Sequence, residues 1–146
     1  MTKRIGGDLG KILSNRMRDI KRSGRRGIEH SIERADLYEI YKKQNGMCAY
    51  TSRPMELKTG TAKVKNPEVL SVDRIDPSRG YHKDNVHLVR WCVNEVKGTM
   101  PHEEFLQMSK DVTETNKLKE EQKENAKLKY HSDRISNICM AQEHQI

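Results

Sequence analysis

The sequence has few of the residues that build large cores or staple small ones. Only 5% of its 146 residues are aromatic, with a single Trp and a single Phe. So few ring faces disfavour a protein that holds single strands by stacking bases on aromatic platforms. The three cysteines, Cys48, Cys92 and Cys139, are widely spaced and odd in number. That excludes a disulfide framework and points to a reducing compartment. There is no CxxC pair, so no structural zinc is expected. No run approaches the length of a membrane span and no signal-peptide pattern is present, so the expectation is a cytoplasmic protein without a membrane partner. Hydrophobic residues make up 34% of the chain. That share is below the globular norm and predicts a core covering only part of the sequence.

Charged residues are as common as hydrophobic ones, at 34%, and the formal net charge is +7. Residues 1–30 hold nine basic and three acidic side chains, residues 31–100 twelve and nine, and residues 101–146 seven and nine. Positive charge therefore gathers at the N-terminus, as in an arm that tracks a phosphate backbone, and a polyanion, nucleic acid first, is the expected partner. The cluster Lys21, Arg22, Arg25 and Arg26 is its dense part, interrupted by Gly24 and Gly27.

The apolar spacing of Leu9, Ile12, Leu13, Met17 and Ile20 predicts a helix, with Lys11, Arg16, Arg18 and Lys21 on the opposite, basic face. A second helix is predicted from Arg34 to Gln44, stopped by Asn45-Gly46. Met47 to Thr51 reads as a short strand and Val69 to Ile75 as a good one, with a polar loop between. Asn85 to Lys97 reads as a helix because Val86, Val89, Val93 and Val96 share one helical face. Asp84 or Asn85 would cap it and Gly98 would close it, while Trp91 would anchor it beneath a hairpin. A further helix starts near Pro101, and beyond Thr113 the chain is rich in Lys, Glu, Asn and Gln, with little to bury. Three regions follow: a basic N-terminal arm and helix over 1–33, a central domain over 34–112, and a polar helical tail over 113–146.

Chemistry concentrates between Leu70 and Gly98. The run Asp73-Arg74-Ile75-Asp76-Pro77-Ser78-Arg79-Gly80 is followed by Asn85-Val86, then by Asn94 with Lys97 three residues on. Packing the helix against the hairpin would bring together Asp73 and Asn94, hard oxygen ligands suited to Mg²⁺. Together with Gly46 to Met55, this pattern resembles the HNH endonucleases, the ββα-metal finger nucleases, and more narrowly their small phage-type members, from about Asp36 to Val112.

The resemblance implies an α+β fold, a ββα-metal finger of hairpin plus helix with added N- and C-terminal helices. It also implies metal-dependent cleavage of DNA phosphodiesters, by nicking. Asp73 matches the family's metal-binding carboxylate and Asn94 its second metal ligand, for Mg²⁺ or Mn²⁺. Asn85 matches the middle Asn, which steadies the loop by hydrogen bonding. Arg74 stands where the family has its first His, the base that activates water. Arginine stays protonated and suits phosphate binding instead. His82 is then the nearest replacement base, with Asp76, before Pro77, a further candidate; His87 and His102 read as surface or capping residues. Arg79 and Lys83 flank the site, and with Arg16, Lys21, Arg22, Arg25 and Arg26 they would contact double-stranded DNA. The chain would be a monomer or a weak homodimer through its tail, in the host cytoplasm if phage-encoded. The alternative is a DNA-binding module on the same fold, its catalysis impaired by Arg74.

Overall fold

A computed structural model describes residues 5–61 and 64–144. The apolar stripe forms α1 (Gly7–Gly24), which buries Ile12, Leu13, Met17 and Ile20 on one face. Helix α2 (Arg34–Lys43) starts at Glu33, whose backbone N–H donates to Asp36 Oδ2 at 2.9 Å. At its end Gln44 caps the edge of a strand with its side chain: Nε2 donates to the Leu88 carbonyl and Oε1 accepts the Leu88 N–H. Strands β1 (Leu70–Arg74) and β2 (Val86–Arg90) form an antiparallel pair in which Asp73 lies opposite His87. Helix α3 (Trp91–Lys97) follows β2 directly and closes at Gly98, whose φ of 52° is in the left-handed region that glycine adopts without strain.

The structure corrects the reading of Asn85 to Lys97 as one helix. Its first part is β2, and only Trp91–Lys97 is helical. Val86, Val89, Val93 and Val96 fit a helical spacing by coincidence: Val86 and Val89 are buried strand residues, whereas Val96 is 62% exposed. Branched side chains suit a pleated, half-buried surface, and pairing with β1 decides the matter. The hairpin partner of β1 is therefore β2, and Met47 to Thr51, expected as a short strand, is not one. That segment makes a single bridge from Met47 to Pro54 and a tight turn, tied to β2 by the Ala49 N–H donating to the Leu88 carbonyl at 3.0 Å.

Residues from α1, α2, the turn and both strands share one core, including Leu13, Leu37, Cys48, Leu70, Leu88 and Val89. Fully burying each such aliphatic side chain contributes about 1.5–3 kcal/mol. Trp91 packs partly buried at its margin, with the Lys65 ammonium 4.9 Å from its ring centre. The segment after α1 runs beside the loop between the strands: Tyr81 N–H donates to Glu29 O, and Ser31 and Ile32 N–H donate to Tyr81 O. Gly80 permits this approach, since a Cβ there would lie 2.2 Å from the Glu29 carbonyl oxygen.

The chain divides into two compact units at His102/Glu103. The second is helical, the continuation of α4 (His102–Glu143), and its described residues from Lys110 onward are exposed. Leu118, Leu128, Ile135 and Ile138 are each more than half exposed. Among the described residues, no helix is long and apolar enough to cross a membrane.

Candidate functional site

Pairing β1 with β2 and turning directly into α3 brings two side chains, His87 and Lys97, onto one carboxylate. Asp73, on β1, is 3% exposed. Its Oδ2 lies 2.7 Å from His87 Nε2 on the facing strand, and its Oδ1 accepts from Lys97 Nζ at 3.1 Å. Lys97 reaches in from the last turn of α3 with its side chain fully buried, and it also donates to the Arg74 carbonyl at 2.9 Å. A buried ammonium is tolerable only with such partners. Asn94, one turn earlier, donates from Nδ2 to Ser71 Oγ and the Val72 carbonyl, the two residues before Asp73. Its Oδ1 accepts no hydrogen bond from the described residues. Tyr50 sets its ring edge-on to His87, 4.8 Å between centres, and its hydroxyl meets His102 Nδ1 at 2.8 Å.

The loop between the strands is built by Asn85 and Arg74. Asn85 is buried; its Nδ2 donates to the Asp76 and Gly80 carbonyls and its Oδ1 accepts the Asp76 N–H. Asn85 therefore folds the loop back on itself rather than capping a helix. Arg74 Nη1 donates to the carbonyls of Pro77 and Arg79, and its guanidinium lies over the Tyr81 ring at 5.3 Å. Asp76 accepts from the Ser78 hydroxyl and N–H, bonds that hold its carboxyl below the usual carboxylate range. Asp84 is likewise lowered, by its hydrogen bond and ion pair with Arg79.

Not every sequence candidate reaches this cluster. His82 bonds Ser31 Oγ through Nδ1 at 2.7 Å and lines a polar cavity with Arg74, Arg79 and Glu29. No hydrogen bond joins it to Asp73, His87, Asn94 or Lys97. Arg16, read as part of the outer basic face, turns inward instead: Nε donates to the Leu70 carbonyl at 2.7 Å and Nη1 pairs with Asp19. Lys21, Arg22, Arg25 and Arg26 are exposed at the end of α1 and just beyond it, and Arg79 and Lys83 are exposed in the loop. Lys83 lies 3.4 Å from Asp36.

His87 reads in the sequence as a surface or capping residue, whereas the structure sets it against Asp73. Its signal was available only once Val86–Arg90 is taken as a strand, because alternation then places His87 opposite Asp73. Among the described residues no group of three His, Cys, Asp or Glu side chains is placed to hold a metal.

No family model matches the chain and no curated protein sequence matches it. Among solved structures, it is similar to the rare-cutting HNH restriction endonuclease PacI, with 15% identity and a TM-score of 0.55 over 77% of this chain and 89% of that one. At that identity the likeness speaks for architecture. The chain has an HNH-like α+β fold, a two-stranded antiparallel hairpin and short helix with further helices at both ends.

Proposed function

We propose that this protein is a metal-dependent DNA endonuclease of the HNH type, which hydrolyses phosphodiester bonds by nicking. The observation that carries the reading is that Asn94 bonds the two residues before Asp73, which ties α3 to the strand bearing that carboxylate. Asp73 supplies a carboxylate and Asn94 a carboxamide oxygen without a protein partner among the described residues, a donor pair that fits a hard divalent cation. Mg²⁺ or Mn²⁺ held there would supply Lewis-acid stabilisation of the charge that develops on the phosphate.

The remaining roles fall to the chain's own side chains. Asn85 holds the loop in shape. With Arg74 Nη1 committed to the loop, Nε and Nη2 remain for a phosphate oxygen. Lys21, Arg22, Arg25, Arg26, Arg79 and Lys83 add exposed positive charge for the DNA backbone. Arg74 does not take the proton from water.

A second reading is favoured by one observation: both Asp73 oxygens already have protein partners. On that reading the chain binds DNA without cutting it. Plasmid relaxation separates the two. The nuclease yields nicked circles with Mg²⁺ or Mn²⁺, none with EDTA, and none from Asp73→Asn. Salt-sensitive DNA binding without cleavage under either metal would leave the binding module.

A further inference from the structure

We infer that His87 is a ligand of the divalent cation, and that it turns the site's preference from Mg²⁺ toward Mn²⁺ and Ni²⁺. The inference rests on the metal site proposed above at Asp73 and Asn94. Three observations carry it. His87 and Asp73 are register partners on neighbouring strands, so both side chains leave the hairpin on the same face. His87 Nε2 sits 2.7 Å from Asp73 Oδ2, a spacing at which the two atoms can ligate one cation. Lys97 occupies the other oxygen, Oδ1, so the oxygen shared with His87 is the one left to the cation.

The imidazole is also fixed in place. Its side chain is 15% exposed, and the edge-on Tyr50 ring packs against it. The Asp73 contact is its one hydrogen bond among the described residues. With His87 the donor set becomes a carboxylate, a carboxamide and an imidazole. Oxygen-only sets suit Mg²⁺, whereas an imidazole nitrogen favours borderline transition metals in the order Mn²⁺ before Ni²⁺ in rising affinity. Lys97 leaves the carboxylate little net negative charge, so the nitrogen contributes a correspondingly larger share of the affinity.

Pulsed electron paramagnetic resonance of Mn²⁺ bound to the full chain tests this directly. Nitrogen modulation from a coordinated imidazole is expected in the parent and absent in His87→Gln, a variant that keeps a side-chain donor near Asp73. By calorimetry, His87→Gln should lower Ni²⁺ affinity about ten-fold or more and change Mg²⁺ affinity by less than about three-fold. Mn²⁺ binding with no nitrogen signature, or equal losses for Ni²⁺ and Mg²⁺, would make His87 a residue that merely positions Asp73 and would overturn the inference alone. No metal binding by the parent would overturn the inference together with the metal site itself.

Discussion

Asp73 and Lys97 form a buried ion pair that joins β1 to the last turn of α3, with Nζ 3.1 Å from Oδ1 and the lysine side chain fully enclosed. The residue with the strongest claim to metal binding is thus also a structural counter-ion. Removing one member of such a pair leaves the other charged and unpaired, at a cost of about 3–5 kcal/mol. Lys97→Ala and Asp73→Ala should each lower the urea midpoint sharply, and the double variant should lose less than the sum. Strict additivity would show that the two charges do not interact. Activity lost in Asp73→Ala is therefore ambiguous without a folding control, and Asp73→Asn, which keeps shape and one acceptor, is the better variant.

The buried Asn85 side chain makes three hydrogen bonds that close the loop. Asn85→Ala should cost about 2–3 kcal/mol by equilibrium unfolding, from lost bonds and the acceptors left unsatisfied. Limited proteolysis should then cut first between residues 76 and 84. A variant as stable and protease-resistant as the parent would mean that Arg74 alone shapes the loop.

Acid should loosen the same loop. Asp76 is held low chiefly by its Ser78 bonds and Asp84 by Arg79. A carboxyl lowered on folding stabilises the native state above its unfolded pKa, about 3.9 for Asp, and that contribution is lost as pH falls through the folded value. Amide protection over 76–84, relative to the intrinsic exchange rate at each pH, should therefore fall below about pH 4. Asp84→Asn should lose part of that pH dependence; an unchanged profile would place the titrating groups elsewhere. Both aspartates are open to solvent, so the effect should shrink at high salt.

For the basic end of α1, the triple change of Arg22, Arg25 and Arg26 to Ala should weaken DNA binding. The slope of log K against log salt should fall by up to about three units, since each phosphate no longer neutralised removes about 0.9. Equal slopes would remove these arginines from the interface. Arg16→Ala should act differently. Its guanidinium serves the Leu70 carbonyl, so stability should drop while the salt slope holds.

Much of this was legible in the sequence because local signals and tertiary demands agreed. The stripe from Leu9 to Ile20 could be buried only as a helix, Asn45-Gly46 stops α2, and the alternation from Leu70 to Arg74 marks β1. Legibility ended where two periods overlap. Val86, Val89 and Val93 match a helix, yet a strand with buried Val86 and Leu88 pairs with β1 and then turns directly into seven helical residues. That one change of period conceals His87, which a helical reading leaves unassigned to the site. Arg16 was obscured for another reason. A long side chain on the border of an amphipathic helix can fold back onto a strand carbonyl, and nothing in local spacing records that distant acceptor. The inward reach of Lys97 is equally non-local, since its counter-ion stands 24 residues earlier in sequence.

Asn94 offers the most direct test, because it bonds the two residues before Asp73 without being part of the ion pair. Plasmid relaxation should be measured for Asn94→Ala beside the parent, each verified as folded, in Mg²⁺, Mn²⁺ and EDTA. The parent should nick in either metal and stop in EDTA. The variant should nick about 100-fold more slowly or worse while binding DNA within about three-fold of the parent. An Asn94→Ala protein that nicks as fast as the parent would contradict a metal centre at Asp73 and Asn94.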